Sequence, residues 1–201
     1  MTATQAPTGP NAPARPRARD RILAVAKDLF YRRGIRAVGV ETIVEAAGAT
    51  KMSLYRSFPS KDALVAAYLD DRNSRYWDWW DKTTGEYAEP RAQLEAILTA
   101  IASRTMAPDY RGCPFTNAAI EFPETDHPAR AIAADNKREL GRRLCRLAEE
   151  IGARDPAQLA DQLLLLIEGA YSSSQTLGPD GPARALVAAA NTLIDAQLRD
   201  R

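Results

Sequence analysis

Histidine is almost absent from this chain and cysteine is scarce: 201 residues hold one histidine, His127, and two cysteines, Cys113 and Cys145. The thiols lie far apart and form no CxxC. With a single imidazole, they cannot furnish a zinc site of ordinary composition unless carboxylates complete it. The same scarcity weighs against an enzyme, because a nucleophile–base pair or a metal set needs groups that are missing, although carboxylate chemistry stays open. Apolar runs are short: none approaches the roughly 20 residues that span a bilayer, and no secretory signal is visible. These absences predict a soluble, cytoplasmic protein with reduced thiols, no cofactor, no metal and no membrane partner. Strand alternation and internal repeats are missing too.

What is present is unevenly distributed. The formal net charge is only +1, yet Arg15 to Lys61 holds eleven Lys/Arg against four Asp/Glu, a local +7 that leaves −6 for the rest. A basic head on an acidic body points to a polyanion at the head, with a membrane surface as the other option until a motif decides. The length allows one substantial core, or a small head fused to a larger body.

Residues 1–16 carry Pro7, Pro10, Pro13 and Pro16 among small polar residues, a composition expected to be disordered. From Arg17 onward the apolar spacing is helical. Ile22, Leu23, Val25, Ala26, Leu29 and Phe30 fall within one arc of about 160°, and Gly34 ends that helix. Two short helices are predicted over 40–47 and 51–57, separated by Gly48-Ala49-Thr50. Ser60 then caps a long helix reaching about Thr84. Pro90, Pro114, Pro156 and Pro182 mark further first turns. The fold class is all-α with about nine helices, divided into a tail (1–16), a helix-turn-helix head (17–65) and a larger domain (66–201).

Two C-terminal helices differ in character. In 182–199, Leu186, Val187, Ala190, Leu193, Ile194 and Leu198 share one face. In 157–177, the run from Leu163 to Ile167 is apolar all the way round and must be covered on every side. Either this is an ordinary central core helix, or a second subunit supplies the cover. On the second reading a homodimer forms as a two-fold four-helix bundle through Leu163, Leu166, Ile167, Ala170, Leu186, Ala190, Leu193 and Ile194.

The segment from Ile43 to Phe58 has the logic of a helix-turn-helix. Ala47 is small enough for two helices to cross, Gly48 can turn left-handed, and Thr50 caps the second helix. On 51–57, Leu54 and Phe58 face inward while Met52, Ser53 and Arg56 face out, with Tyr55 on the flank. Arginine can read guanine bidentately, and serine or methionine can approach base edges or a thymine methyl. Tyr55, Thr42 and Lys61 suit phosphate oxygens, which position without specifying. The expected DNA-binding set is therefore Thr42, Thr50, Lys51, Met52, Ser53, Tyr55, Arg56 and Lys61. Arg15, Arg17 and Arg19 could reach phosphates or a minor groove, or simply stay solvated.

With those residues in view, the stretch from Arg21 to Leu69 resembles the DNA-binding domain of TetR-family regulators. The likeness runs through Tyr31-Arg32-Arg33-Gly34, Glu45-Ala46-Ala47-Gly48, Lys51-Met52-Ser53-Leu54-Tyr55-Arg56 and Phe58-Pro59-Ser60-Lys61-Asp62-Ala63-Leu64. It departs from the family pattern at Val44, where alanine is commoner, at Ala49, which replaces a valine, and at Ser57, where an aromatic or histidine is typical. The resemblance implies a homodimer on a palindromic double-stranded operator, usually a repressor, released when a small-molecule inducer fills the C-terminal domain. The alternative is a helical small-molecule-binding protein or enzyme without operator binding.

The larger domain resembles the family less firmly, through Arg111–Phe122 and Asp126–Arg130. Aromatic and isolated polar residues there give a candidate pocket: Trp77, Trp80, Phe115, Asn117, Glu121, Phe122, Tyr171 and Gln175. Each aromatic could equally be core, and Asn117 with Glu121 could equally be solvated. His127 suits a helix cap or surface position better than a metal ligand. Cys113 could sense oxidants, but no sequence neighbour clearly lowers its pKa. Lys137, Arg138, Arg142, Arg143 and Arg146 read as a solvated face opposite Leu140, Leu144, Leu147 and Ile151.

Overall fold

The computed structural model describes residues 17–198; the tail expected over 1–16, Arg15 included, and residues 199–201 lie outside the described residues. The described chain folds into nine α-helices and no strand: α1 (Ala18–Arg33), α2 (Val40–Ala46), α3 (Lys51–Ser57), α4 (Lys61–Gly85), α5 (Pro90–Thr105), α6 (Pro114–Glu121), α7 (Pro128–Glu150), α8 (Pro156–Leu177) and α9 (Leu186–Leu198). The last helix begins as a 3-10 turn, Pro182–Ala185. Proline opens α5, α6, α7, α8 and that turn, where its missing N–H costs nothing. No helix among the described residues is long and apolar enough to cross a membrane.

Helices α1 to α3 close over Ile22, Ala26, Phe30, Ile43, Leu54 and Phe58, all buried. Arg21 crosses from α1 to donate to the carbonyls of Ala47 and Gly48, tying the first helix to the turn of the motif. Gly48 takes φ 58°, a left-handed turn that a side chain would resist. The boundary expected between 65 and 66 falls inside α4, whose Leu64, Val65, Tyr68 and Leu69 are buried. Tyr68 packs its ring against Phe30 at 5.6 Å, so the head extends about one turn further along α4.

The larger domain stacks α5, α7, α8 and α9 around Leu94, Ile97, Leu98, Leu140, Leu144, Leu163, Ile167, Ala190 and Ile194. This corrects the expected dimer face. Leu163, Ile167, Ala170, Leu186, Ala190 and Ile194 are packed inside the single subunit, and Leu166 and Leu193 are only partly exposed. One chain covers that side of α8 by itself, because α5, α7 and α9 surround it. What it leaves open is the opposite side, where Leu165 is 72% exposed.

Candidate nucleic-acid interface and ligand cavity

The outward face of α3 is set by its cap. Thr50 accepts from the Ser53 backbone N–H at 3.1 Å, and the Ser53 hydroxyl accepts in return from the Thr50 N–H at 3.1 Å. This reciprocal box satisfies two orphan donors and fixes where a helix of seven residues begins. Leu54 and Phe58 anchor the other side. Met52 and Tyr55 are left 79% and 48% exposed, and Arg56 is exposed beside them with no partner among the described residues. Thr42 is half-buried on α2. Lys51 is exposed and paired with Glu41, whose carboxyl that hydrogen bond holds below its usual range.

Lys61 sits differently from the rest. Its ammonium donates to the Ile35 carbonyl at 2.7 Å, within the turn that follows α1, and burial lowers its pKa. Thr50 and Ser53 likewise have local hydroxyl partners. The expected DNA-binding set thus divides into an outward group and a group that holds the motif together.

A cavity of about 330 Å³ opens between α1, α4, α5, α6, α7 and α8. Phe115 and Tyr171, two of the eight expected ligand residues, line it together with Tyr31, Arg72, Arg75, Tyr76, Trp79, Ile101, Arg104, Tyr110, Cys113 and Lys137. The other six lie outside its lining, each with a visible occupation. Trp80 is wholly buried in the core. Trp77 donates from its indole to Asn73 at 2.9 Å and carries the Arg143 guanidinium 4.4 Å above its ring. Phe122 stacks on His127 at 3.9 Å. Asn117 donates to the Arg111 carbonyl at 2.7 Å, and the end of the Gln175 side chain lies against Gly112, where an added Cβ would have to displace it.

Glu121 is the most informative of the six. Its carboxylate accepts from the backbone N–H groups of Ile35 (3.0 Å) and Arg36 (2.7 Å), so the end of α6 grips the turn after α1. Gly34 makes that turn with φ 87°, and a Cβ added there would lie 3.5 Å from the carboxylate oxygens. His127, as expected, caps α7 by accepting from the Ala129 N–H, and its other nitrogen lies 3.6 Å from Asp62 on α4.

Lys137 corrects the expectation of a solvated face. It is drawn inward between α7 and α8, 2.6 Å from Glu168 and 3.2 Å from the Cys113 sulfur. Burial pulls its pKa down, but Cys113 and Glu168 outweigh burial and raise it. The signal was there to read: 137, 140, 144 and 147 share one helical stripe, so Lys137 continues the leucine face. Arg72 is another of the wall residues absent from the expected set. It follows Tyr68 and precedes Tyr76 at four-residue steps, the buried stripe of α4. Tyr31 joins the two regions, since it belongs to α1 yet lines the cavity. Its hydroxyl accepts from the Arg111 N–H at 2.9 Å and donates to the Gly112 carbonyl at 3.3 Å.

Residues 22–68 match the bacterial regulatory proteins of the tetR family, and residues 90–190 match the tetracyclin repressor-like C-terminal domain. Among curated proteins, the transcriptional repressor KstR2 of Rhodococcus jostii is 36% identical over 85 residues, 40% of either chain. The regulator QacR of Staphylococcus aureus is 34% identical over 104 residues, 52% of this chain and 53% of QacR. The chain therefore spans about half or less of the length of these two relatives. Solved structures match over more of the chain. A TetR-family transcriptional regulator from Streptomyces coelicolor superposes with a TM-score of 0.86 at 27% identity, covering 90% of this chain and 95% of that one. A putative TetR-type regulator from Streptomyces avermitilis gives 0.82 at 34% identity, covering 90% and 98%. From its helix-turn-helix to its last helix, this chain belongs to the TetR family of transcriptional regulators, which are DNA-binding proteins rather than enzymes.

Proposed function

We propose that this chain is a cytoplasmic repressor that binds a palindromic operator as a homodimer and lets go when a small-molecule inducer fills the cavity. The observation that carries this reading is the double membership of Tyr31, on a helix of the DNA-binding head and on the wall of the cavity. A ligand there touches the head directly, which is what a coupling free energy between two sites requires. The relatives KstR2 and QacR, named a repressor and a regulator, favour the same role.

In this reading Arg56 reads a base, Met52 packs on a thymine methyl, and Tyr55, Lys51 and Thr42 hold phosphates. Thr50, Ser53 and Lys61 keep the motif in shape. The subunits meet through the outward side of α8, where Leu165, Gly169, Ser172 and Thr176 line one exposed strip, beside Ala188, Thr192 and Ala196 of α9. Small residues there let helices approach closely, and the one large apolar side chain gains cover.

Mobility shifts on the DNA upstream of the protein's own gene test the proposal. Arg56→Ala is expected to cost about 1–3 kcal/mol and relax preference at one base-pair position, whereas Tyr55→Ala weakens all sequences alike. Salt-insensitive binding, or no duplex binding at all, would overturn it.

A further inference from the structure

The chemistry of the cavity wall narrows the class of inducer. Four cations line it, Arg72, Arg75, Arg104 and Lys137, and no carboxylate does. Two of the four are already neutralised, Arg104 by Asp109 at 2.8 Å and Lys137 by Glu168 at 2.6 Å, while Arg75, its side chain 68% exposed to water, shares Asp71 with Lys27. Arg72 has no ion pair among the described residues, and its Nε is buried without a hydrogen-bond partner. A buried guanidinium N–H left this way is costly unless an acceptor completes it. The Tyr110 hydroxyl on the same wall is also buried and unpartnered, and burial raises its pKa, so it remains a donor. Trp79, Ile101 and Phe115 offer a ring-sized apolar surface, and Asn136, Tyr76 and Tyr171 add polar atoms to the wall.

We propose that the cavity takes a small organic monoanion, a carboxylate on an aromatic or compact aliphatic body. Its carboxylate is held by the Arg72 guanidinium and the Tyr110 hydroxyl, and its body lies against Trp79, Ile101 and Phe115. This deepens the inducer reading above and rests on it. Arg72 is the wall cation without a carboxylate among the described residues, and a single carboxylate on the ligand matches it. A volume near the small end of ligand sites limits the body to roughly ten to fifteen non-hydrogen atoms. The same guanidinium stacks 4.9 Å over the Tyr31 ring, so the group that binds the anion also leans on α1. Anion capture therefore changes the contact between cavity and head without any further relay.

The test separates ligand binding from DNA release by using the full chain without DNA first. Tryptophan fluorescence, with Trp79 on the wall, is titrated with the series from benzoate to 4-phenylbutyrate and with the matching amides. At least one carboxylate is expected to saturate, with its amide roughly ten- to a hundredfold weaker, as loss of a charge-assisted pair requires. Arg72→Met should lose the same factor for the carboxylate and nothing for the amide, while Arg72→Lys restores part of it. Thermal melting of each variant shows that it is folded. Equal binding of acid and amide, carboxylate affinity unchanged in Arg72→Met, tighter binding of phenethylammonium, or no saturation by any acid up to about 10 mM would overturn the proposal. A carboxylate that binds through Arg72 but leaves operator affinity unchanged would instead refute the inducer reading while sparing the site.

Discussion

Removing the carboxylate of Glu121 should loosen the whole molecule, although the residue sits at the end of a helix of only eight residues. Its two oxygens receive backbone N–H groups from Ile35 and Arg36 at 3.0 and 2.7 Å. Hydrogen bonds to a charged acceptor contribute about 1.5–3 kcal/mol each at full strength. Arg36 is exposed, and water replaces much of its bond when the carboxylate goes. Ile35 is buried, and its N–H would be left wanting. Glu121→Ala should therefore cost about 2–3 kcal/mol, which for a chain of this size lowers the melting temperature by roughly 5–10 °C. Glu121→Gln should fall between, since an amide accepts one N–H and turns a donor toward the other. Circular dichroism follows all helices, whereas tryptophan emission reports only the larger domain, where Trp77, Trp79 and Trp80 stand. In the wild type the two transitions should coincide; in Glu121→Ala the head should melt first and the curves should part. A variant within about 0.5 kcal/mol of wild type, with coincident curves, would refute the claim that this carboxylate joins head to body.

Two other substitutions probe the roles the structure redistributes. Lys61→Met should lower stability by about 1 kcal/mol through the lost bond to Ile35 yet leave the salt dependence of DNA binding unchanged; a slope shallower by about one would return Lys61 to phosphate binding. Leu165→Glu should halve the molar mass seen by light scattering with the fold intact, whereas Ile167→Glu, wholly buried, should unfold the subunit. A Leu165→Glu protein that keeps a dimer mass would place the interface elsewhere.

The contrast between Leu165 and Ile167 shows where sequence reading succeeds and where it stops. Helical periodicity located the elements well: α3 spans 51–57 as expected, Ser60 caps α4, and four prolines open helices where they were read to do so. Such signals are local, and the physics of caps and stripes is local. An all-apolar helix such as α8 carries no local mark of which neighbour covers which side, so periodicity alone does not separate Ile167, which the subunit buries, from Leu165, which it leaves exposed. The cavity wall is hidden from sequence for a related reason: Trp80 and Trp77 turn to the core and to Arg143, while Tyr31, from the head, completes the wall. Arg72 and Lys137 were legible only as charged residues standing on apolar stripes, a pattern that marks a buried cation. Glu121 looked like half of a polar pair with Asn117, four residues away. Its true partners are backbone groups some 85 residues earlier, which no spacing rule reports.

Because α4 is unbroken over 25 residues, it is a rod of about 37 Å. It starts in the DNA-binding head, and Arg72, on the cavity wall, lies about three turns in. A tilt of only about 5° about one end carries the other through roughly 3 Å, close to the rise of one base pair. In the proposed dimer, whose two heads fall one duplex turn apart, ~34–36 Å, register would be lost by up to two base steps if both rods swung. A lever of this length turns a displacement too small to notice at the cavity into a mismatch that the duplex cannot absorb.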